Sequence, residues 1–255
     1  LTAYYGEAVA QGVLDPAEGR WARDVLRAYF EAVAPTPTIT RARTQFEAAD
    51  AAAVPAFPRS EPPAIPYASA ARPGASVSFE ALEALAQRRR AVRWYDGRPV
   101  PEALLRQAID LASLAPSACN RQPFWVYSSA DAEAAVAMAR CAGGTEGWAE
   151  NIPCTLALVG DLGNYSRERD RHLIYIDSAL FAMQLMLALE TLGLATCPIN
   201  WPDTPVAETR LAKLLGLAPE LRPVMLVSVG YALEDGLVPY SQKKGAGVLM
   251  RKVSV

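Results

Sequence analysis

Histidine is almost missing from this chain of 255 residues; there is one, His172. That argues against a histidine-based metal centre. Cysteine is also scarce. Cys119, Cys141, Cys154 and Cys197 show no CxxC spacing and no metal-ligand pattern. They are expected as free thiols in a reducing compartment. An excess of one charge is lacking as well. The formal net charge is −2, which gives no basis for broad nucleic-acid binding. No expected strand is followed by GxGxxG or GxxxxGK[ST], so a dinucleotide or P-loop reading lacks its phosphate turn. No internal repeat is evident, and no targeting signal is visible in these residues.

One long apolar run exists, LIYIDSALFAMQLMLALETLGLA, residues 173–195. Asp177, Gln184 and Glu190 interrupt it and no basic flank closes it. Near the centre of a bilayer Asp177 would cost roughly 2.5–3.5 kcal/mol. A helix buried in a soluble core is therefore expected, with no membrane span. Asp177 should then pair with an arginine or a backbone donor. His172, at the start of that helix, reads as a packed or capping residue. Cys119 and Cys197 read as small buried fillers.

With 51% hydrophobic and 20% charged residues, the chain can bury a large core. Residues 1–50 read as a helical extension. Asp15-Pro16 is a start signal, and Trp21, Val25, Leu26 and Phe30 form the expected apolar stripe. Residues 51–76 are rich in proline and alanine and read as an extended arm or linker, with Phe57 and Tyr67 as anchors. The main domain is expected over 77–255. Its helices fall at 78–90, 101–115, 131–141, 171–193 and 205–216, and its strands at 124–128, 154–160 and 223–231. TCPINWPD, 196–203, reads as a break. Helices and strands in this order suit either a doubly wound sheet or an α+β layout with helices around a small mixed or antiparallel sheet.

Two segments carry the chemistry. RRRAVRWYDGRPVP, 88–101, puts Arg88, Arg89, Arg90 and Arg93 within six residues, forks suited to a phosphate. Alone, the cluster is equally a solvated helix end whose cations complement the macrodipole. APSACNRQP, 115–123, follows one helix later. Ser117, Asn120 and Gln122 can donate to and accept from a polar ring. Alone, this loop is an ordinary Pro-Ser-Asn turn. Glycine-rich GTEGWAEN follows; Gly144, Thr145, Trp148 and Glu150 are weaker candidates for the rim of a site.

Taken together, RRRAVRWYDGRPVP, PSACNRQPF and PINWPD resemble the nitroreductase-like flavoproteins over about residues 80–250. The string running from RDRHLIYIDSAL to VPYSQKK is most similar to a subgroup found among bacterial polysaccharide-biosynthesis genes. The resemblance implies an α+β homodimer with FMN at the subunit interface, reduced by NADH or NADPH. It implies that Arg89, Arg90 and Ala91 lie near the phosphate and Arg93 near the ribityl chain or ring edge. Pro116, Ser117, Ala118, Asn120 and Gln122 would reach the FMN of the partner subunit. Ile199, Asn200 and Trp201 would face flavin N5, and Lys243 and Lys244 would close over the phosphate. No side-chain acid or base is implied. Ala91 stands where the family pattern has serine, and Trp201 where many relatives have glycine. The indole could fill space above the ring or point into the core. The implied activity is hydride transfer from NAD(P)H through the flavin to a small acceptor in the cytoplasm. The alternative is a flavin fold that has lost turnover and serves as a binding or assembly subunit.

Overall fold

The computed structural model describes residues 1–53 and 62–254. They form two compact units, Leu1–Ser76 and Val77–Val255.

The first unit holds α1 (Thr2–Gln11), α2 (Pro16–Ala32) and α3 (Pro37–Ala53). The Asp15 carboxylate accepts the amides of Ala17 and Glu18, and Pro16 occupies the first turn where no amide is needed. Tyr5, Leu26, Phe30 and Phe46 meet in its core. The expected α2 stripe is partly wrong. Leu26 and Phe30 turn inward, but Trp21 is exposed, and Ala22 and Arg23 take the buried arc instead. Arg23 is tolerated at 2% exposure because Asp50 on α3 bonds its Nε at 2.7 Å. The second Asp50 oxygen takes Arg27 at 2.6 Å. Residues 54–61 of the proline-rich arm, Phe57 among them, lie outside the described residues. Tyr67 is 71% exposed, not the expected anchor among the described residues. The segment is tied down instead where the Ala64 amide donates to Asp24 at 2.9 Å.

In the second unit the chain runs α4 (Phe79–Arg88), α5 (Glu102–Ala112), β1 (Phe124–Ser128), α6 (Ala132–Ala139) and β2 (Cys154–Asp161). It continues through α7 (Leu173–Thr191), β3 (Ala195–Asn200), α8 (Pro205–Leu215), β4 (Leu221–Gly230) and the single turn α9 (Ala246–Leu249). All strand pairs are antiparallel, in the order β1-β2-β4-β3. This is the α+β alternative; the doubly wound one fails because no strand pair is parallel. β2 and β4 are interior strands covered on both faces, which explains their nearly continuous apolar sequence. Leu156 and Leu158 face the cluster under α5 and α7, while Ala157 and Val159 face the cluster with α6. Pro223 of β4 lies opposite Val159, beside a shift of register that accommodates its missing amide.

The proline-flanked break at 196–203 is a correction. Residues 195–200 form β3, paired with β4 from Ala195↔Gly230 to Asn200↔Met225. Proline is accepted because β3 is last in the strand order, where its outer edge meets only a single bridge, Ala91 to Thr196, and no further strand. Two glycines let neighbours approach: a Cβ on Gly160 would lie 2.7 Å from Ile174 of α7, and one on Gly230 2.6 Å from both Pro153 and Tyr95.

By length and composition, Glu168–Thr191 could cross a membrane. α7, which makes up most of it, has instead one face packed into the core through Ile174, Phe181, Leu185 and Leu189. Its opposite face leaves Ile176, Leu180 and Met183 exposed.

Candidate active site

The four clustered arginines do different work. Arg88 pairs with Glu190 of α7 at 2.9 Å. Arg90 turns back to the Ala86 and Arg89 carbonyls, closing the C-terminal end of α4. The Arg93 guanidinium sits 5.7 Å over the Trp148 ring. Arg89 remains. Among the described residues no hydrogen bond or ion pair engages its guanidinium, and its Nε is buried without a partner. A buried unsatisfied donor of this kind costs about 1–3 kcal/mol and suits an anion that the chain itself does not supply.

Residues 91–92 run along β3. Ala91 bridges Thr196, and the Val92 amide donates to the Thr196 carbonyl at 3.0 Å. The arginine segment and the Pro-Ile-Asn segment therefore meet within one chain. Cys197 of β3 is buried, its thiol pushed up by burial and held back by Arg93 and Arg89. Ile199 is buried and Asn200 exposed. The Trp201 indole packs on the core cluster and donates to Glu208 of α8 at 2.7 Å. Of the two orientations open to it, the core-facing one is observed.

Asn151 was not foreseen. Its carboxamide accepts the Tyr95 amide at 3.0 Å and donates to the Arg93 carbonyl, so it fixes the backbone that carries Arg93. An asparagine in GTEGWAEN gives no signal of this role. Nearby, the buried Thr145 hydroxyl donates to Ala139, Trp148 Nε1 donates to Gly144, and exposed Glu150 pairs with Arg140.

The second segment is an unusual loop. Cys119, Asn120 and Gln122 take φ of 54°, 53° and 48°, left-handed values that cost non-glycine residues energy. Ser117 Oγ accepts the Gln122 amide at 3.1 Å and folds the loop on itself. Pro116, Asn120 and Gln122 are exposed, while Ser117 and Ala118 are half-buried. Cys119 is exposed rather than the expected filler, because the left-handed turn swings it outward. His172 is likewise exposed, and its side chain caps nothing.

Asp177, near the start of α7, receives the loop's Ala118 amide; Glu190, near its end, receives Arg88. Thirteen residues separate these anchors, about 20 Å of helix at about 1.5 Å each. The two chemical segments thus attach to opposite ends of α7. Lys243 and Lys244 are exposed in the C-terminal tail.

A family model described as the nitroreductase family matches residues 86–142 and 128–231. A protein of Thermus thermophilus named NADH dehydrogenase is 30% identical over 182 residues, covering 59% of this chain and 86% of that one. An FMN-dependent nitroreductase from Clostridium difficile superposes with a TM-score of 0.58 at 18% identity, over 67% of this chain and 98% of its own. A nitroreductase family protein from Streptococcus pneumoniae gives 0.57 at 22%, over 68% and 100%.

Proposed function

The chain belongs to the nitroreductase family, and from that premise we propose that it is an FMN-dependent oxidoreductase using NADH or NADPH. The observation that carries this reading is Arg89: a half-buried fork with none of its donors engaged among the described residues, in the segment that bridges β3. The names of relatives, FMN-dependent nitroreductase and NADH dehydrogenase, support the same cofactor pair. When bound, FMN supplies the two-electron chemistry, taking hydride from the nicotinamide and yielding it to a small acceptor.

The protein's part is placement and charge. Arg89 holds the phosphate, and Arg90 and Ala91 line the same turn. Arg93, held over Trp148, supplies positive charge toward the ring's pyrimidine edge, which favours the reduced, anionic state. The backbone of Ile199, Asn200 and Trp201 lines the other side, with the Trp201 indole turned to the core, and Lys243 and Lys244 close over the phosphate. Pro116, Ser117, Ala118, Asn120 and Gln122 serve the FMN of the partner subunit.

This division requires a homodimer. In one chain α4 buries no side chain, although its Leu85 lines a groove with Leu111, Leu180 and Met183, and its Leu82 is exposed. An exposed apolar face calls for a partner, and a second copy of the chain is the occupant in this reading. The N-terminal helical extension (1–50) and the proline-rich arm (51–76) are additions to the catalytic domain (77–255). Four cysteines without a disulfide suit the cytoplasm. A place in bacterial polysaccharide biosynthesis rests on the similarity of residues 169–244 alone.

A second reading, a binding or assembly subunit without turnover, is favoured by Ala91, which brings no hydroxyl to the phosphate turn. Absorbance spectra before and after NADH or NADPH separate the two. A flavin spectrum that bleaches and recovers with an acceptor supports the enzyme. A chain that takes up no FMN refutes the cofactor reading, and a monomer by light scattering refutes the shared site.

A further inference from the structure

We propose that Asp177, with Tyr165, is the positioning residue that holds the 115–123 loop in the strained shape in which it meets the cofactor. The inference rests on the reading that this loop faces FMN. Asp177 is buried at 3% exposure on α7, well outside the loop. One of its oxygens, Oδ2, accepts two hydrogen bonds at 3.0 Å, from the Ala118 amide and from the Tyr165 hydroxyl.

The Ala118 bond falls just before the costly part of the loop. Cys119, Asn120 and Gln122 follow with positive φ, and such conformations persist only where the surroundings over-determine them. Three constraints do so here. Asp177 fixes the Ala118 amide, Ser117 Oγ accepts the Gln122 amide, and Arg121 donates to the Asn164 carbonyl at 2.7 Å. The last two act at the surface. Asp177 is the buried one and carries charge, so its bonds are of the stronger, charge-assisted kind. Tyr165 joins the constraints: its ring lies 5.6 Å from the Arg121 guanidinium and its hydroxyl bonds Asp177. The amides of Asn120 and Gln122 are thus set by a carboxylate that touches neither. This also explains a carboxyl group buried in the first turns of the most apolar helix.

The test uses the full chain with Asp177→Ala, Asp177→Asn and Tyr165→Phe. Without FMN, hydrogen exchange of the peptide spanning 116–123 is followed by mass spectrometry. With FMN, affinity is read by quenching of flavin fluorescence, and the ring's surroundings by visible circular dichroism. Losing the charge-assisted anchor is expected to speed exchange in that peptide about tenfold and weaken FMN about 10- to 100-fold in Asp177→Ala. Asp177→Asn, which retains one acceptor oxygen, should recover part of both, and Tyr165→Phe should lose about threefold. A changed flavin dichroism with an unchanged melting temperature marks positioning rather than general stability. Unchanged exchange in the Asp177 variants overturns the proposal whether or not FMN binds. If the parent takes up no FMN, the functional reading fails while the exchange measurement still judges the anchor. Should Asp177→Ala not fold, Asp177→Asn and Tyr165→Phe decide, and parental exchange and affinity in both overturn it.

Discussion

Replacing Arg89 with methionine should make the cofactor-free protein more stable and the cofactor-bound one weaker. The Arg89 Nε is buried with no partner among the described residues, and such a donor costs about 1–3 kcal/mol. Methionine keeps an unbranched, flexible stem and removes the donor, so urea unfolding of the FMN-free chain should gain a part of that amount. Binding moves the other way. One charge-assisted bond from guanidinium to phosphate contributes about 1.5–3 kcal/mol. At about 1.4 kcal/mol per tenfold, the FMN dissociation constant should rise about 10- to 150-fold. Both halves are read on one preparation: denaturation monitored by circular dichroism after removal of flavin, then titration with FMN followed by fluorescence. Parental FMN affinity in Arg89→Met would refute the assignment of the phosphate to this residue. A loss of more than about 1 kcal/mol in the cofactor-free protein would refute the claim that the chain leaves the Nε unsatisfied.

Asp50→Ala should destabilise the N-terminal unit by about 3–5 kcal/mol, since it strips buried Arg23 and neighbouring Arg27 of their shared counter-charge; Trp21, the one tryptophan of residues 1–76, reports that unfolding. Gly230→Ala should cost about 1–3 kcal/mol in the second unit by overpacking against Pro153 and Tyr95, measured as a shift in urea midpoint. The Tyr165 hydroxyl is pushed up to about 12, first by burial and then by its bond to Asp177. A raised value favours the neutral phenol in the folded state. The stability it contributes is therefore fully present below the ordinary tyrosine value near 10.0 and is lost as pH rises through about 12. Tyr165→Phe should fall less steeply than the parent across that window, and parallel curves would contradict the bond.

The residues themselves determined most of the local structure. Ser78 and Thr204 accept amides at the starts of α4 and α8, and Asp15 does so for α2. Short apolar runs bounded by turn residues mark β1, β2 and β4. The two chemical segments were legible because arginines and amides are residue types with few structural uses at such density. Tertiary structure decided what local pattern cannot encode. Period-based reading put Trp21 on the buried stripe; it is exposed, and Arg23, paired with Asp50 of another helix, is buried instead. A proline-flanked stretch read as a break became β3 because strand order puts it last in the sheet, where a missing amide is tolerated. The arginines looked equivalent in sequence, yet Glu190, the α4 carbonyls and Trp148 engage three of them and leave Arg89. Asp177, expected to pair with an arginine or a backbone donor, receives the Ala118 amide of a loop 59 residues away, and Asn151, which no local pattern marks, fixes the backbone of Arg93. Apart from Arg90, which bonds carbonyls of its own helix end, these outcomes depend on contacts between residues far apart along the chain, and hydrophobic periodicity and turn chemistry carry information only over a few neighbours.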